Sequence, residues 1–192
     1  MEAKFIVNPL LRSGKNSKNV GVETLQTDLL MLTTLSGLGL SRSPQEFDEL
    51  LAGRLSQKMK KKKFKGDLGE HFVLNLGDEL PARNVLIVGL GSAASFDVCG
   101  LEAVIGVAVK KAVEMGCSRL TLEIHRDRLT AAQLNLKGTA YAIKESVCAK
   151  LAQVAGDKPG TLEVELVCTP QGAVRINEGL RIPEMKIPAC KA

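Results

Sequence analysis

The stretch VLIVGLGSAASFD, Val85 to Asp97, places Gly89, Gly91 and Ala94 at the spacing G-x-G-x-x-[GA] behind an apolar run. A dinucleotide site at that spacing needs a helix opening at the glycine turn, so that its first amides face the pyrophosphate. It also needs an acidic residue about twenty positions on, to hold the ribose. Here the helical pattern becomes convincing only near Gly100, and the next strand ends in EIHRD, roughly thirty residues on. These departures speak against a Rossmann site. Two readings remain: Gly89 and Gly91 permit a tight strand-to-loop turn, or the loop amides form an anion nest. In the second, Gly89, Gly91, Ser92, Ser95 and Asp97 are the ligand-binding candidates. Amides and hydroxyls would hold phosphate, and Asp97 would accept a hydrogen bond from an adenine amine or a ribose. The competing structural reading makes Ser95 or Asp97 the cap of the following helix.

Other residues able to do chemistry are isolated. His125, in HRDR, is a candidate general base beside Asp127; a lone histidine at a strand end is more commonly a surface residue. His71 stands beside Gly69 and Glu70 on the polar face of a strand. There is no Gly-x-Ser-x-Gly elbow. The five cysteines are Cys99, Cys117, Cys148, Cys168 and Cys190, with no C-x-x-C among them. This supports neither a zinc site nor a redox motif, and reduced thiols are expected. No catalytic residue, metal or cofactor is assigned.

Charge is concentrated rather than spread. The net charge is +5, and KMKKKKFK, Lys58 to Lys65, contains six lysines, so the rest of the chain is close to neutral. Lys60, Lys61, Lys62 and Lys63 are therefore the candidates for contacting nucleic-acid phosphates. The alternative is a solvated helix end, where cations oppose the negative pole of the helix dipole. Aromatic residues make up only 3% of the chain, which disfavours base-stacking platforms.

The elements that must position these groups follow from periodicity. Strands are expected over Lys4–Leu10, Thr24–Leu35, Gly69–Gly77, at RNVLIVGLG, at SRLTLEIH and at TLEVELVCT. On the third, His71, Val73 and Asn75 share one face and Phe72, Leu74 and Leu76 the other. One helix is expected from Ser43 through the lysine run. Ser43 would cap it, Pro44 would sit in its first turn and Glu46 would complete a capping box; Phe47, Leu50, Leu51 and Leu55 would form its buried face. A second helix is expected over Val98–Gly116, ended by its glycine. A third spans most of TAAQLNLKGTAYAIKESVCAKLAQVAG, with Gly138 a candidate interruption. Alternating strands and helices predict a three-layer α/β/α sandwich with a central mixed, largely parallel sheet. No basic-apolar-cleavage pattern opens the chain, no apolar run reaches the ~18 residues of a membrane span, and no internal repeat is visible.

The order FKGDLGE, strand, LPARNVLIVGLG, polar loop, LEAVIGVAVKKAVEMGCSRLTLEI, and later LNLKGTAYAIKE, resembles the N-terminal domain of the leucyl aminopeptidase (cytosol aminopeptidase) family. The resemblance runs from about Thr24 to Arg181. It implies a macro-domain-like fold, of the kind that often holds ADP-ribose. The family's peptidase chemistry resides in a separate C-terminal domain with two metal ions, and nothing like its Asn-Thr-Asp-Ala-Glu-Gly-Arg stretch occurs here. Two-metal hydrolysis needs clustered carboxylates; here Glu2, Asp28, Asp48, Glu70, Asp97, Glu123 and Asp157 are dispersed. The expectation is a domain over residues 1–182 with an extended tail over 183–192, cytoplasmic and not an enzyme, acting as a binding or regulatory domain. Its partner would be a protein, a second copy, or a small anionic ligand such as ADP-ribose or another nucleotide. Nucleic acid bound through the lysine run is the alternative, and the DNA-binding role of some full-length relatives adds to it.

Overall fold

The structure is a computed structural model that describes residues 1–10, 21, 24–37, 40, 42–124, 134–156 and 159–188. The elements run β1 (Glu2–Asn8), β2 (Leu29–Thr34), α1 (Arg42–Leu50), α2 (Arg54–Lys62), β3 (His71–Asn75), β4 (Asn84–Gly89), α3 (Val98–Glu114), β5 (Arg119–Glu123), α4 (Leu136–Val154), β6 (Thr161–Val167) and α5 (Pro170–Arg181). The strands form one sheet in the order β1-β6-β5-β2-β4-β3. Every neighbouring pair is parallel except β3–β4. The mixed, largely parallel sandwich expected from the sequence is therefore present.

Alternation sorts the strand residues between two cores. On one face, Leu29, Met31, Leu86, Val88, Leu120, Leu122, Val164 and Leu166 pack with α3, α4 and α5. On the other, Leu30, Leu32, Val85, Ile87, Phe72 and Leu74 pack with Phe47, Leu51 and Leu55 of the α1–α2 region. Each fully buried aliphatic side chain contributes about 1.5–3 kcal/mol, so a mostly aliphatic core, with Phe47, Phe72, Phe96 and Tyr141 as aromatic members, is sufficient. No helix among the described residues is long and apolar enough to cross a membrane.

Four local expectations are corrected. The helix expected from Ser43 through the lysine run is two helices. The chain breaks at Ala52 and Gly53, both left-handed at φ 51° and φ 80°. Asp48 makes the break stable: its Oδ1 accepts from the amides of Leu55, 2.8 Å, and Ser56, 3.1 Å, and its Oδ2 from the Ser56 hydroxyl. The side chain of Ser43, expected as a cap, lies outside those described. Gly138 does not interrupt α4; it sits in the first turn, where its amide donates to Oδ1 of the Asn135 cap. The segment Pro170–Arg181, for which no element was expected, is helical, with Thr169 as cap and Pro170 in the first turn. Finally, Cys99 is disulfide-bonded rather than a thiol, whereas Cys117, Cys148 and Cys168 are free. Beyond α5, residues 182–188 form neither helix nor strand, and Ile187 packs against the core.

Candidate functional site

Open α/β sheets hold ligands beyond the carboxyl ends of their strands, where neighbouring connections leave to opposite faces. Here β2 and β4 are parallel neighbours. The chain leaves β2 for α1, on one face, and β4 for α3, on the other. The switch point therefore lies beyond Thr34 and Gly89.

Three segments are knitted together there. Leu90 donates to the carbonyl of Thr34, 2.8 Å, and Ser36 to that of Gly91, 2.9 Å. The FKGDLGE turn packs against both. Gly69 donates to Gly89, 3.0 Å, Gly89 to Glu70, 2.8 Å, and Gly91 to Gly66, 2.9 Å. The turn requires its glycine at Gly66, with φ +80° and the Leu35 carbonyl 3.0 Å from where a Cβ would stand. Glu70 closes it from within: its Oε2 accepts from the amides of Lys65, 2.8 Å, Gly66, 2.9 Å, and Asp67, 3.2 Å.

This arrangement gives the glycines of the opening motif a mechanical role. A Cβ on Gly89 would stand 2.6 Å from the Gly66 carbonyl oxygen and closer still to that of Asp67. Gly91 has φ +70° and lies against Leu68. Both amides donate to carbonyls of the turn, as given above. Beyond them, Ser92 and Ser95 are exposed. Their loop is tied by Ser95 N to Ser92 O, 3.1 Å, and Ala94 N to Ser92 Oγ, 3.3 Å. Asp97 caps α3, its Oδ1 accepting from Gly100 N at 2.9 Å.

Between the end of β2, α2 and the FKGDLGE turn is a cavity of about 490 Å³, lined by Thr34, Ser36, Gly37, Met59, Phe64, Lys65 and Asp67. Thr34 is only 1% exposed, and its Oγ1 has no hydrogen-bond partner among the described residues. A buried, unsatisfied hydroxyl costs about 1–3 kcal/mol. Ser36 Oγ lies 3.2 Å from Asp67 Oδ1. Phe64 is fixed edge-on to Phe72, with ring centroids 5.2 Å apart. None of these lining residues stood out in the sequence as a ligand contact.

The remaining candidates do not converge on this place. His71 is exposed on β3, its Nδ1 2.8 Å from the Gly69 carbonyl. His125 and Asp127 lie outside the described residues. Lys60, Lys61, Lys62 and Lys63 are exposed at the end of α2, where Lys63 is the left-handed cap. Their neighbour Lys58 turns inward and donates to the Val73 carbonyl at 2.7 Å. Burial pushes the thiols of Cys117 and Cys168 up to about 11, so neither is a nucleophile at neutral pH. Glu165 is buried on the sheet, but Asn8, 2.9 Å, and Thr121, 2.8 Å, satisfy it. Among the described residues, no group of three or more His, Cys, Asp or Glu stands where it could hold a metal ion.

Comparison with known proteins gives this architecture its family. The chain is 40% identical over 77 residues to a probable cytosol aminopeptidase of Syntrophotalea carbinolica, covering 40% of this chain and 15% of that protein. It is 29% identical over 107 residues to one of Pseudomonas fluorescens, covering 56% and 22%. The chain thus spans less than a quarter of the length of these curated relatives. Among solved structures, tomato leucine aminopeptidase (a K354E mutant) superimposes with TM-score 0.62 at 18% identity, over 93% of this chain and 36% of that one. A Trypanosoma brucei macrodomain in complex with ADP superimposes with TM-score 0.64 at 13% identity, over 93% and 69%. Residues 30–150, more than half of the chain, match the profile of the N-terminal domain of the cytosol aminopeptidase family, and the chain belongs to that family.

Proposed function

We propose that this chain is a non-catalytic binding domain whose small-molecule ligand enters the crevice beyond the carboxyl ends of β2 and β4. The observation that carries the reading is Thr34: a fully buried hydroxyl without a partner among the described residues, on the wall of a cavity at the switch point of the sheet. The cavity volume is within the roughly 300–1,000 Å³ of small-molecule sites. The absence of catalysis is supported by where the match falls, on the family's N-terminal domain, and by the dispersed acids. A phosphate-bearing ligand such as ADP-ribose would use the exposed Ser92 and Ser95 hydroxyls of the loop that follows Gly91. It would receive little from Gly89 and Gly91, whose amides are already bonded. An amide-shift titration with ADP-ribose and a panel of small polar metabolites tests this. Saturable shifts confined to Thr34, Ser36, Lys65 and Ser92–Asp97 support the reading; a panel that moves none of them refutes it.

The exposed lysines at the end of α2 favour a second reading, an accessory nucleic-acid binder. It predicts steeply salt-dependent binding of duplex DNA that is lost when Lys60 to Lys63 are changed to Ala. Binding that survives those substitutions refutes it.

A further inference from the structure

We infer that the occupant of the Thr34 cavity is a small zwitterion with an apolar side chain, that is, a free α-amino acid. This rests on the ligand-binding reading above and narrows it.

The lining decides the class. Among the described residues it contains one cation, Lys65, one carboxylate, Asp67, two hydroxyls, Thr34 and Ser36, and the apolar side chains of Met59 and Phe64. A phosphate or other plain anion would gain Lys65 but would also face Asp67. It would find no backbone cradle either, because the turn amides that point together, those of Lys65, Gly66 and Asp67, are already held by the Glu70 carboxylate. A plain cation would meet the reverse conflict with Lys65. An uncharged apolar molecule would leave the Thr34 hydroxyl buried and unpaired. A molecule carrying one charge of each sign beside an apolar group has a complement for each charged and apolar side chain among these lining residues. Its carboxylate takes Lys65, its ammonium takes Asp67, either head group completes Thr34, and its side chain covers Met59 and Phe64. Bonds to charged groups are the strong ones at such a site.

Thr34 also supplies a control independent of folding damage. Thr34→Val keeps the shape and removes the orphan hydroxyl, so it leaves the free protein as stable as before or more so.

The test is calorimetric titration of the full chain with L-leucine, L-methionine and L-phenylalanine, beside leucinamide, 4-methylpentanoate and ADP-ribose. The inference expects saturable binding of at least one amino acid. Removing its carboxylate or its ammonium should weaken binding about tenfold or more. Lys65→Met and Asp67→Asn should each do the same, and Thr34→Val should weaken binding with no loss of melting temperature. If ADP-ribose binds and shifts the Thr34 and Ser36 amides while no amino acid binds, the zwitterion assignment is overturned and the ligand-binding reading stands. Should 4-methylpentanoate bind as tightly as leucine, the ammonium contact to Asp67 is wrong and the assignment fails. If no compound binds, both fail.

Discussion

Replacing Gly89 by Ala is the sharpest perturbation of the site's scaffold. The added methyl would stand 2.6 Å from the Gly66 carbonyl oxygen and nearer to that of Asp67. Both obstacles are backbone, so no side chain can rotate away. Overpacking ordinarily costs about 1–3 kcal/mol, and a wall of main chain places this change near the upper end, about 3 kcal/mol. For a chain of this size each kcal/mol lowers the melting temperature by about 2–4 °C, so thermal unfolding should fall by about 6–12 °C. Gly116→Ala is the matched control. That residue has φ +67° with no atom within 4 Å of a Cβ, so only the left-handed backbone cost of roughly 1 kcal/mol applies. Differential scanning calorimetry of the two variants gives the answer. If Gly89→Ala melts no lower than Gly116→Ala, the FKGDLGE turn does not clamp β4 and the mechanical reading of Gly89 is wrong. A variant that keeps its melting temperature but loses a ligand would make Gly89 a contact residue instead.

Other consequences are local. Asp48→Ala removes three hydrogen bonds from the start of α2; it should cost about 1–2 kcal/mol in urea unfolding and lower helicity, and an unchanged midpoint would count against Asp48 as the brace of the break. Burial raises the Asp28 carboxyl, but bonds from the Ser118 hydroxyl and amide, the Arg119 amide and the charge of Arg83 outweigh it and hold it below its ordinary 3.8. Its contribution to stability is therefore complete above about pH 3.8 and is lost as pH falls through the lower folded value. Asp28→Asn should be less stable than the parent at pH 7 and converge with it in acid; parallel stability curves down to pH 2 would contradict this. Of the three free thiols among the described residues, Cys117 and Cys168 are buried with pKa values pushed up to about 11, whereas Cys148 is exposed. Native alkylation followed by peptide mapping should label Cys148 and spare the other two until denaturant is added.

The parts of the fold that could be read from the sequence are those written in one segment. RNVLIVGLG reads as a buried strand, and TLEVELV alternates as β6 does. The Val98–Gly116 helix runs where its apolar pattern and terminal glycine place it. The Asp97 cap was one of two readings of a residue whose neighbours are all local. What was misread depends on distant partners or a competing signal. The helical spacing of Phe47, Leu51 and Leu55 continues across a break, because both helices bury the same side against β2 and β4, whereas Leu50, expected on that buried face, is exposed. The break itself is made by Ala52, Gly53 and the side chain of Asp48 reaching forward to Leu55. The α5 helix does carry a signal, Thr169 followed by Pro170, but its glycine- and charge-interrupted turns show little apolar periodicity, and no element is assigned to it from the sequence. Thr34 was not legible as a site residue. It is one more threonine in a strand until the order β5-β2-β4 puts it at a switch point, and until Phe64, Lys65 and Asp67 fold back from thirty residues away.

The most direct test of the binding-domain account is an amide-shift titration of the uniformly labelled protein with L-leucine and, separately, ADP-ribose, on the parent and on Thr34→Val. The account predicts a saturable response to at least one of them, centred on Thr34, Ser36, Lys65 and Asp67 and weakened by the substitution. Spectra left unchanged at these positions by both compounds would contradict it.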